Sequence, residues 1–535
     1  MTKKLFLPSM LPILAAILSI SLIVPAPASA LVTAFRQAIA EGVAEHEDMA
    51  EFYRDRAFEP IWTRNEDAAR RNALLMALEG AANHGLPAGR YDPDALRAAF
   101  MDADNPYSRG QAEIMASAMF LRYAHDVQSG ILDPGEVVRE IHRDLPRRDP
   151  TDLLQSLVDA DPYEVMRALP PAHPEYLRLQ RELLRLTRMA NEGGWGASVY
   201  GGRLELGDRG QSVVQLRDRL IRMGYMERSA TAVFDADMEA AVQRFQSAHG
   251  LLADGVAGSS TIEEVNIGLD TRLRQVILAM ERQRWMNWED PERGSRHVLV
   301  NIPDYHAYVI DNEEVTFETR VVVGATPSNR VTPEFSDTME HMVINPSWYV
   351  PRSITIGEYL PQMQANPAAA GHLDLLQGGR QVSRAGIDFS QYTASTFPFD
   401  LRQGPGPSNA LGRVKFMFPN RHNIYLHDTP SRNLFARETR AYSHGCVRVH
   451  RPLELAYHLL ARQESQPQSY FDRILHSGQE TQVDLVQQIP VHIVYWTAFV
   501  TPEGELNFRR DIYGRDRALW TAMEQAGVEL PIVAS

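Results

Sequence analysis

Apolar positions repeat at two different periods along this chain. Up to about residue 200 they recur every three or four residues, as at Leu74, Leu75 and Leu78 and again at Leu177, Leu184 and Leu186, which predicts helices. Asn83-His84-Gly85 and Asp133-Pro134-Gly135 read as turns between them. The pairs Gly193-Gly194 and Gly201-Gly202 mark a linker. Residues 206–268 then predict three helices. Ser212 caps the first, which carries Val213, Leu216 and Leu220 and ends at Gly224. Asp235 or Asp237 opens the second, with Met238, Ala241, Val242 and Phe245 on one face, and the third starts near Ser259. Residues 271–290 read as one connecting helix.

After that helix the period shortens to two. Residues 297–301, 306–311, 316–324, 341–345, 414–418, 423–427 and 491–498 predict strands. A Gly-, Gln- and Pro-rich stretch over about 353–412, including Gly404-Pro405-Gly406-Pro407, interrupts them. A segment that long inside a compact domain reads as a functional lid. The chain is therefore expected to be a multidomain α+β protein. It has a mainly helical scaffold over 31–200, a small three-helix domain over 206–268, and a β-rich domain over 296–515 with the inserted lid. Residues 516–535 read as a C-terminal tail.

The first residues change the compartment. Lys3 and Lys4 precede an apolar run from Leu5 to Val24, and Ala28-Ser29-Ala30 offers a small-x-small cleavage site. Residues 1–30 read as an export signal cut after Ala30, or as an uncleaved anchor giving membrane association. Pro8 and Pro12 interrupt the run and favour cleavage. The formal charge of −14 argues against nucleic acid as a partner.

The 535 residues include one cysteine, so no internal disulfide forms. Such a thiol is a buried filler, half of an intermolecular bridge, or a reactive group. Its surroundings decide. In Ala441-Tyr-Ser-His-Gly-Cys-Val-Arg-Val449, Gly445 permits close backbone approach before Cys446. An extended chain puts Cys446 and Arg448 on one face and Val447 and Val449 on the other. A guanidinium beside a thiol lowers the thiol's pKa. In Asn423-Ile-Tyr-Leu-His427, alternation turns Tyr425 and His427 away from Ile424 and Leu426. His427 ends that strand at Asp428-Thr429-Pro430, where it can form a Cys–His pair. There is no His-Glu-x-x-His run and no paired-cysteine ligand set, so neither a metal nor a cofactor is expected.

His427 followed by Ser443-His444-Gly445-Cys446-Val447-Arg448 resembles the signature of the L,D-transpeptidase family, with its YkuD-type catalytic domain. Asn345-Pro-Ser-Trp-Tyr-Val-Pro351, Pro490-Val-His-Ile-Val-Tyr-Trp-Thr497 and Arg510-Asp-Ile-Tyr-Gly-Arg515 resemble the large periplasmic, YcbB-like subgroup. So does Phe52-Tyr53 through Pro60-Ile61-Trp62 in the scaffold. Asp208-x-Gly210, Phe234-Asp235, Val242-x-x-Phe245-Gln246, Gly250-Leu251, Asp254-Gly255 and Gly258-x-x-Thr261 are similar to the peptidoglycan-binding three-helix domain.

This resemblance implies a periplasmic enzyme, in a Gram-negative envelope, acting on tetrapeptide stems of peptidoglycan, with other cell-wall synthesis proteins as possible partners. Cys446 would attack the third-residue carbonyl and release D-alanine, and the thioester would pass to an amine, giving a 3→3 cross-link. His427 would act as base, oriented by the main chain of Asp428. Gly445, Cys446 and Tyr425 would hold the oxyanion. Ser443 and His444 either contact substrate or order the loop. Arg448 either binds a stem carboxylate or holds the loop through an ion pair. Trp348 would wall the pocket. Carbapenems would acylate the same thiol. A hydrolase (an L,D-carboxypeptidase) on the same stems uses the same pair, and a non-catalytic peptidoglycan-binding scaffold would carry an unreactive thiol.

Overall fold

The computed structural model describes residues 28–288, 293–326 and 330–531, with side chains of the first helix described from residue 34. The expected export signal falls mainly on residues 1–27, outside the described residues. Among those described, no helix is long and apolar enough to cross a membrane.

Residues 1–68 and 94–118 group as one compact unit, and residues 69–93 and 119–535 as another. The region expected as a single helical scaffold is thus divided between them. The first unit is organised around a buried carboxylate, Glu113, which accepts the backbone N–H groups of Ile61 (2.6 Å), Trp62 (3.2 Å) and Thr63 (3.1 Å) and the Tyr53 hydroxyl (3.0 Å). Trp62 Nε1 donates to Ser117 at 2.8 Å. Tyr53, Ile61 and Trp62 stand in the motif because they close this core.

In the second unit the helix Pro174–Asn191 buries Tyr176, Leu179, Leu183 and Leu186. Leu177 and Leu184, expected on the core face, are 40% exposed. The apolar stripe is set by the neighbouring helix Leu269–Arg284, against which the helix packs. That "connecting" helix is itself core: from Val276 to Arg284 every residue is buried. The expected tail instead forms the helix Arg515–Gln525, whose Leu519, Trp520 and Met523 join the same core.

The three-helix unit comprises Gln211–Met223, Ala236–Ala248 and Ser259–Val265. Asp235 caps the second helix by accepting the Met238 N–H at 3.0 Å. Gly210, not Ser212, precedes the first helix, and the Ser212 hydroxyl bonds the Tyr200 carbonyl instead.

The catalytic-motif domain is a ring of strands. They are β1 (Arg296–Asn301), β2 (His306–Asp311), β3 (Glu314–Gly324) and β4 (Phe335–Ile344). An insertion carries β5 (Trp348–Tyr349), β6 (Asp374–Gln377), β7 (Arg380–Val382) and β8 (Asp400–Gln403). Then come β9 (Val414–Met417), β10 (Leu426–His427), β11 (Ala441–Ser443), β12 (Val447–Val449) and β13 (Thr481–Val494). β14 (Ala498–Val500) and β15 (Leu506–Phe508) make a separate hairpin, so the strand expected over 491–498 begins ten residues earlier, at Thr481, and stops at Val494.

The order is β3-β12-β10-β9-β4-β13-β1-β2, and β2 pairs back onto β3, which closes the ring; β11 adds parallel to β3. Closure removes free edges. The interior is filled by alternate residues such as Val298, Val321, Phe416, Leu426, Val447, Val449 and Val491.

The Gly-, Gln- and Pro-rich stretch read as a lid is folded. β5-β8-β6-β7 form their own sheet, and Leu360, Met363, Leu375, Phe389, Phe397, Phe399 and Leu401 bury together beneath it. A single π-turn, Thr355–Tyr359, lies near the root of this subdomain.

Candidate active site

The site is built on two adjacent parallel strands. β10 pairs with β12 in the register Leu426↔Val447 and His427↔Arg448. The Val447 N–H bonds the Tyr425 carbonyl at 3.1 Å, which places Cys446 level with Tyr425. Leu426, Val447 and Val449 point into the ring, so Tyr425, His427, Cys446 and Arg448 share the opposite face. His427 and Cys446 are diagonal neighbours there.

His427 is buried, and its Nδ1–H donates to the Asp428 carbonyl at 2.5 Å. That bond leaves Nε2 as the unprotonated nitrogen. Burial pushes the imidazole pKa from 6.5 to about 3, helped by the cations Arg448 and Lys415. Lys415 lies opposite His427 on β9. The Asp428 carboxylate does a different job. It accepts the N–H groups of Thr429 (2.7 Å) and Arg413 (2.9 Å), and Arg413 and Arg432 flank it at 3.3 Å.

The half-buried Cys446 thiol donates to the Asn423 carbonyl at 3.5 Å. Burial pushes its pKa up, from 9.0 to about 11, against the pull of the Tyr425 N–H and hydroxyl and, last, Arg448. The expectation of a depressed thiol pKa beside Arg448 is therefore corrected: the guanidinium acts in the expected direction, but desolvation outweighs it. Tyr425 stays protonated, its pKa raised by burial and by the neighbouring sulfur. Its hydroxyl is a hydrogen-bond donor at the Cys446 sulfur.

Gly445 has φ 113°, and a Cβ there would meet Ile424 at 3.2 Å, so this position requires glycine. Its N–H is not free for an oxyanion, because it donates to Ser443 Oγ at 3.1 Å. Ser443 is buried, and its hydroxyl donates to the Cys446 carbonyl at 2.5 Å. Ser443 thus orders the loop. The Gly445 carbonyl accepts from Thr332 Oγ1 at 2.7 Å. The Cys446 N–H has no partner among the described residues. Among the described residues Arg448 has no carboxylate within ion-pair distance, and its Nε is buried without a hydrogen-bond partner.

His444 faces outward and its Nε2 meets Glu358 Oε1 at 2.6 Å. Trp348 stands in β5 against Tyr359 (6.4 Å between ring centres) and packs on the core of the insertion. Asn423, Lys415, Thr332 and Glu358 were not anticipated. Alternation along residues 414–418 could have pointed to Lys415; Glu358 carries no sequence signal. Among the described residues no three His, Cys, Asp or Glu side chains cluster as a metal site.

Residues 295–483, which hold Cys446 and His427, match the family model described as the L,D-transpeptidase catalytic domain, YkuD. Residues 209–264 match the "Putative peptidoglycan binding domain", and residues 47–183 a scaffold domain. The chain thus carries a YkuD-type L,D-transpeptidase catalytic domain joined to a peptidoglycan-binding domain, behind a helical N-terminal region.

Among curated proteins it is 35% identical over 245 residues to a "Putative L,D-transpeptidase" of Haemophilus influenzae, covering 45% of this chain and 48% of that protein. It is 40% identical over 74 residues to the zinc D-Ala-D-Ala carboxypeptidase of Streptomyces albus G, covering 13% and 28%. The chain thus spans about half the length of the first and less than a third of the second. An L,D-transpeptidase structure from Stackebrandtia nassauensis aligns at 14% identity over 56% of this chain and 97% of that one, with a TM-score of 0.23.

Proposed function

We propose that this chain is a cell-wall L,D-transpeptidase that acylates Cys446 with a peptidoglycan tetrapeptide stem and passes the acyl group to an amine. The observation that carries the reading is the shared face of Cys446, His427, Tyr425 and Arg448 on β10 and β12, with the tautomer of His427 fixed by the Asp428 carbonyl.

The pair starts neutral, as thiol and imidazole. His427 Nε2 takes the thiol proton as sulfur attacks the third-residue carbonyl. The resulting imidazolium returns that proton to the departing D-alanine amine. The Cys446 N–H and the Tyr425 hydroxyl face the developing oxyanion. A well-placed donor of this kind is worth about 2.7–4 kcal/mol in the transition state. Arg448, which has no carboxylate partner among the described residues, takes a carboxylate of the stem. In the second half-reaction His427 deprotonates the acceptor amine, which attacks the thioester and frees Cys446. The folded insertion acts as the lid, and the three-helix unit tethers the enzyme to the wall.

Incubation of the purified protein with disaccharide-tetrapeptide tests transfer. Formation of 3→3 dimers with loss of D-alanine supports the reading. Tripeptide product with no dimer makes the protein a hydrolase on the same stems.

A further inference from the structure

The inserted subdomain reaches the nucleophile loop through one carboxylate. Glu358, in the π-turn Thr355–Tyr359, places Oε1 at 2.6 Å from His444 Nε2 and 2.6 Å from Arg330. One partner lies on the nucleophile loop and the other on the segment that bonds it. His444 is two residues before Cys446. Arg330 begins the segment that backs the loop: Thr332 Oγ1 donates to the Gly445 carbonyl at 2.7 Å and accepts the Gly324 N–H at 2.9 Å. Glu358 is about one-third exposed, as is His444, so the clasp can open to solvent without stranding a buried charge. π-turns are uncommon and concentrate at functional positions, because the extra residue re-aims one side chain. Here the re-aimed turn presents Glu358.

We propose that Glu358 is a positioning residue that clasps the inserted subdomain onto the nucleophile loop. It holds His444 and Arg330 together so that the Gly445–Cys446 backbone is set for attack while the insertion covers the stem. It touches neither the sulfur nor the imidazole of His427, so it leaves the intrinsic reactivity of the thiol alone. The inference rests on the reading of Cys446 as nucleophile.

The test measures two reactions of the full-length protein: acylation by tetrapeptide stem and alkylation by iodoacetamide. Glu358→Ala should lower kcat for acylation about 10- to 100-fold, the scale expected when a reacting group loses its alignment. Iodoacetamide alkylation should stay within about twofold or rise as the clasp loosens. Glu358→Gln keeps an acceptor for His444 and should recover part of the loss. His444→Ala combined with Glu358→Ala should be no worse than Glu358→Ala alone, because the single variant already breaks the His444 contact. This non-additivity keeps the test decisive if Glu358→Ala also lowers stability. Acylation by Glu358→Ala within twofold of wild type, or additive losses in the double variant, overturns the clasp. If wild-type protein alkylates but is never acylated by a stem, the reading of the nucleophile fails and the clasp fails with it.

Discussion

The carbonyl oxygen of Asp428 lies 2.5 Å from Nδ1 of His427. A backbone group of the adjacent residue thus takes the place of a third side chain in orienting the imidazole. Substitution at Asp428 leaves that carbonyl in place but removes a carboxylate that holds Thr429 and Arg413. Asp428→Asn is therefore expected to lower the melting temperature yet retain measurable acylation, whereas His427→Ala abolishes acylation with little change in stability. Loss of activity in Asp428→Asn equal to that of His427→Ala, at unchanged stability, would assign the side chain a direct role.

The two reactions of Cys446 should differ in pH dependence. With the thiol pushed up to about 11, alkylation by iodoacetamide should climb through pH 9 and reach half its maximum only near pH 11. Acylation by substrate uses neutral His427, pushed down to about 3, and should show no inflection from this group between about pH 4 and 9. A plateau in alkylation already at pH 8 would mean a preformed thiolate.

Arg448 separates substrate binding from scaffolding. Its buried Nε lacks a partner among the described residues, so Arg448→Gln should leave the melting temperature unchanged or higher. It should raise KM for a carboxylate-bearing stem about 10- to 100-fold, the equivalent of one charge-assisted hydrogen bond. A fall in melting temperature with KM unchanged would return Arg448 to a structural role.

Acid stability follows from four buried histidines. Burial holds His84, His249, His427 and His492 neutral in the fold, each pushed from 6.5 to about 3. The unfolded chain binds protons near pH 6.5, so their neutral burial favours the fold fully above that pH. The contribution is lost as pH falls from 6.5 towards 3. Glu264, pushed down to about 2 by His249 and Arg272 against its burial, adds a loss below 4.5. Melting temperature measured from pH 8 to 4 should hold to about 6.5 and then drop steeply. A flat profile between 7 and 5 would contradict this.

The insertion has its own core, so it should fail locally. Phe397→Ala removes a side chain buried among Phe389, Phe399 and Tyr392, a change that typically costs about 3–5 kcal/mol. Limited proteolysis should then cut within 353–412 while the ring keeps its main unfolding transition. Simultaneous loss of both would make the insertion part of the ring's cooperative unit.

The candidate catalytic face was legible because strand alternation and a contiguous motif both act over a few residues. Val447 and Val449 had to be inside, which turned Cys446 and Arg448 outward. Contacts set by distant elements were not legible. Glu358 and His444 are 86 residues apart, and Lys415 meets His427 only through strand register. Ser443 stayed open between substrate contact and loop ordering because its burial depends on β3, to which β11 pairs. The strands of the insertion were not legible because they are two to four residues long, and its aromatic residues follow no period. Leu177 and Leu184 showed the limit of spacing alone: the helix they occupy is amphipathic, but its buried stripe runs through Tyr176, Leu179, Leu183 and Leu186.

Intact-protein mass spectrometry after exposure to a tetrapeptide stem, and separately to a carbapenem, addresses the nucleophile itself. One acyl adduct should form on the wild-type chain, map to Cys446, and be absent from Cys446→Ala. No adduct on wild type, or an adduct that survives the substitution, would contradict Cys446 as the acyl-accepting group.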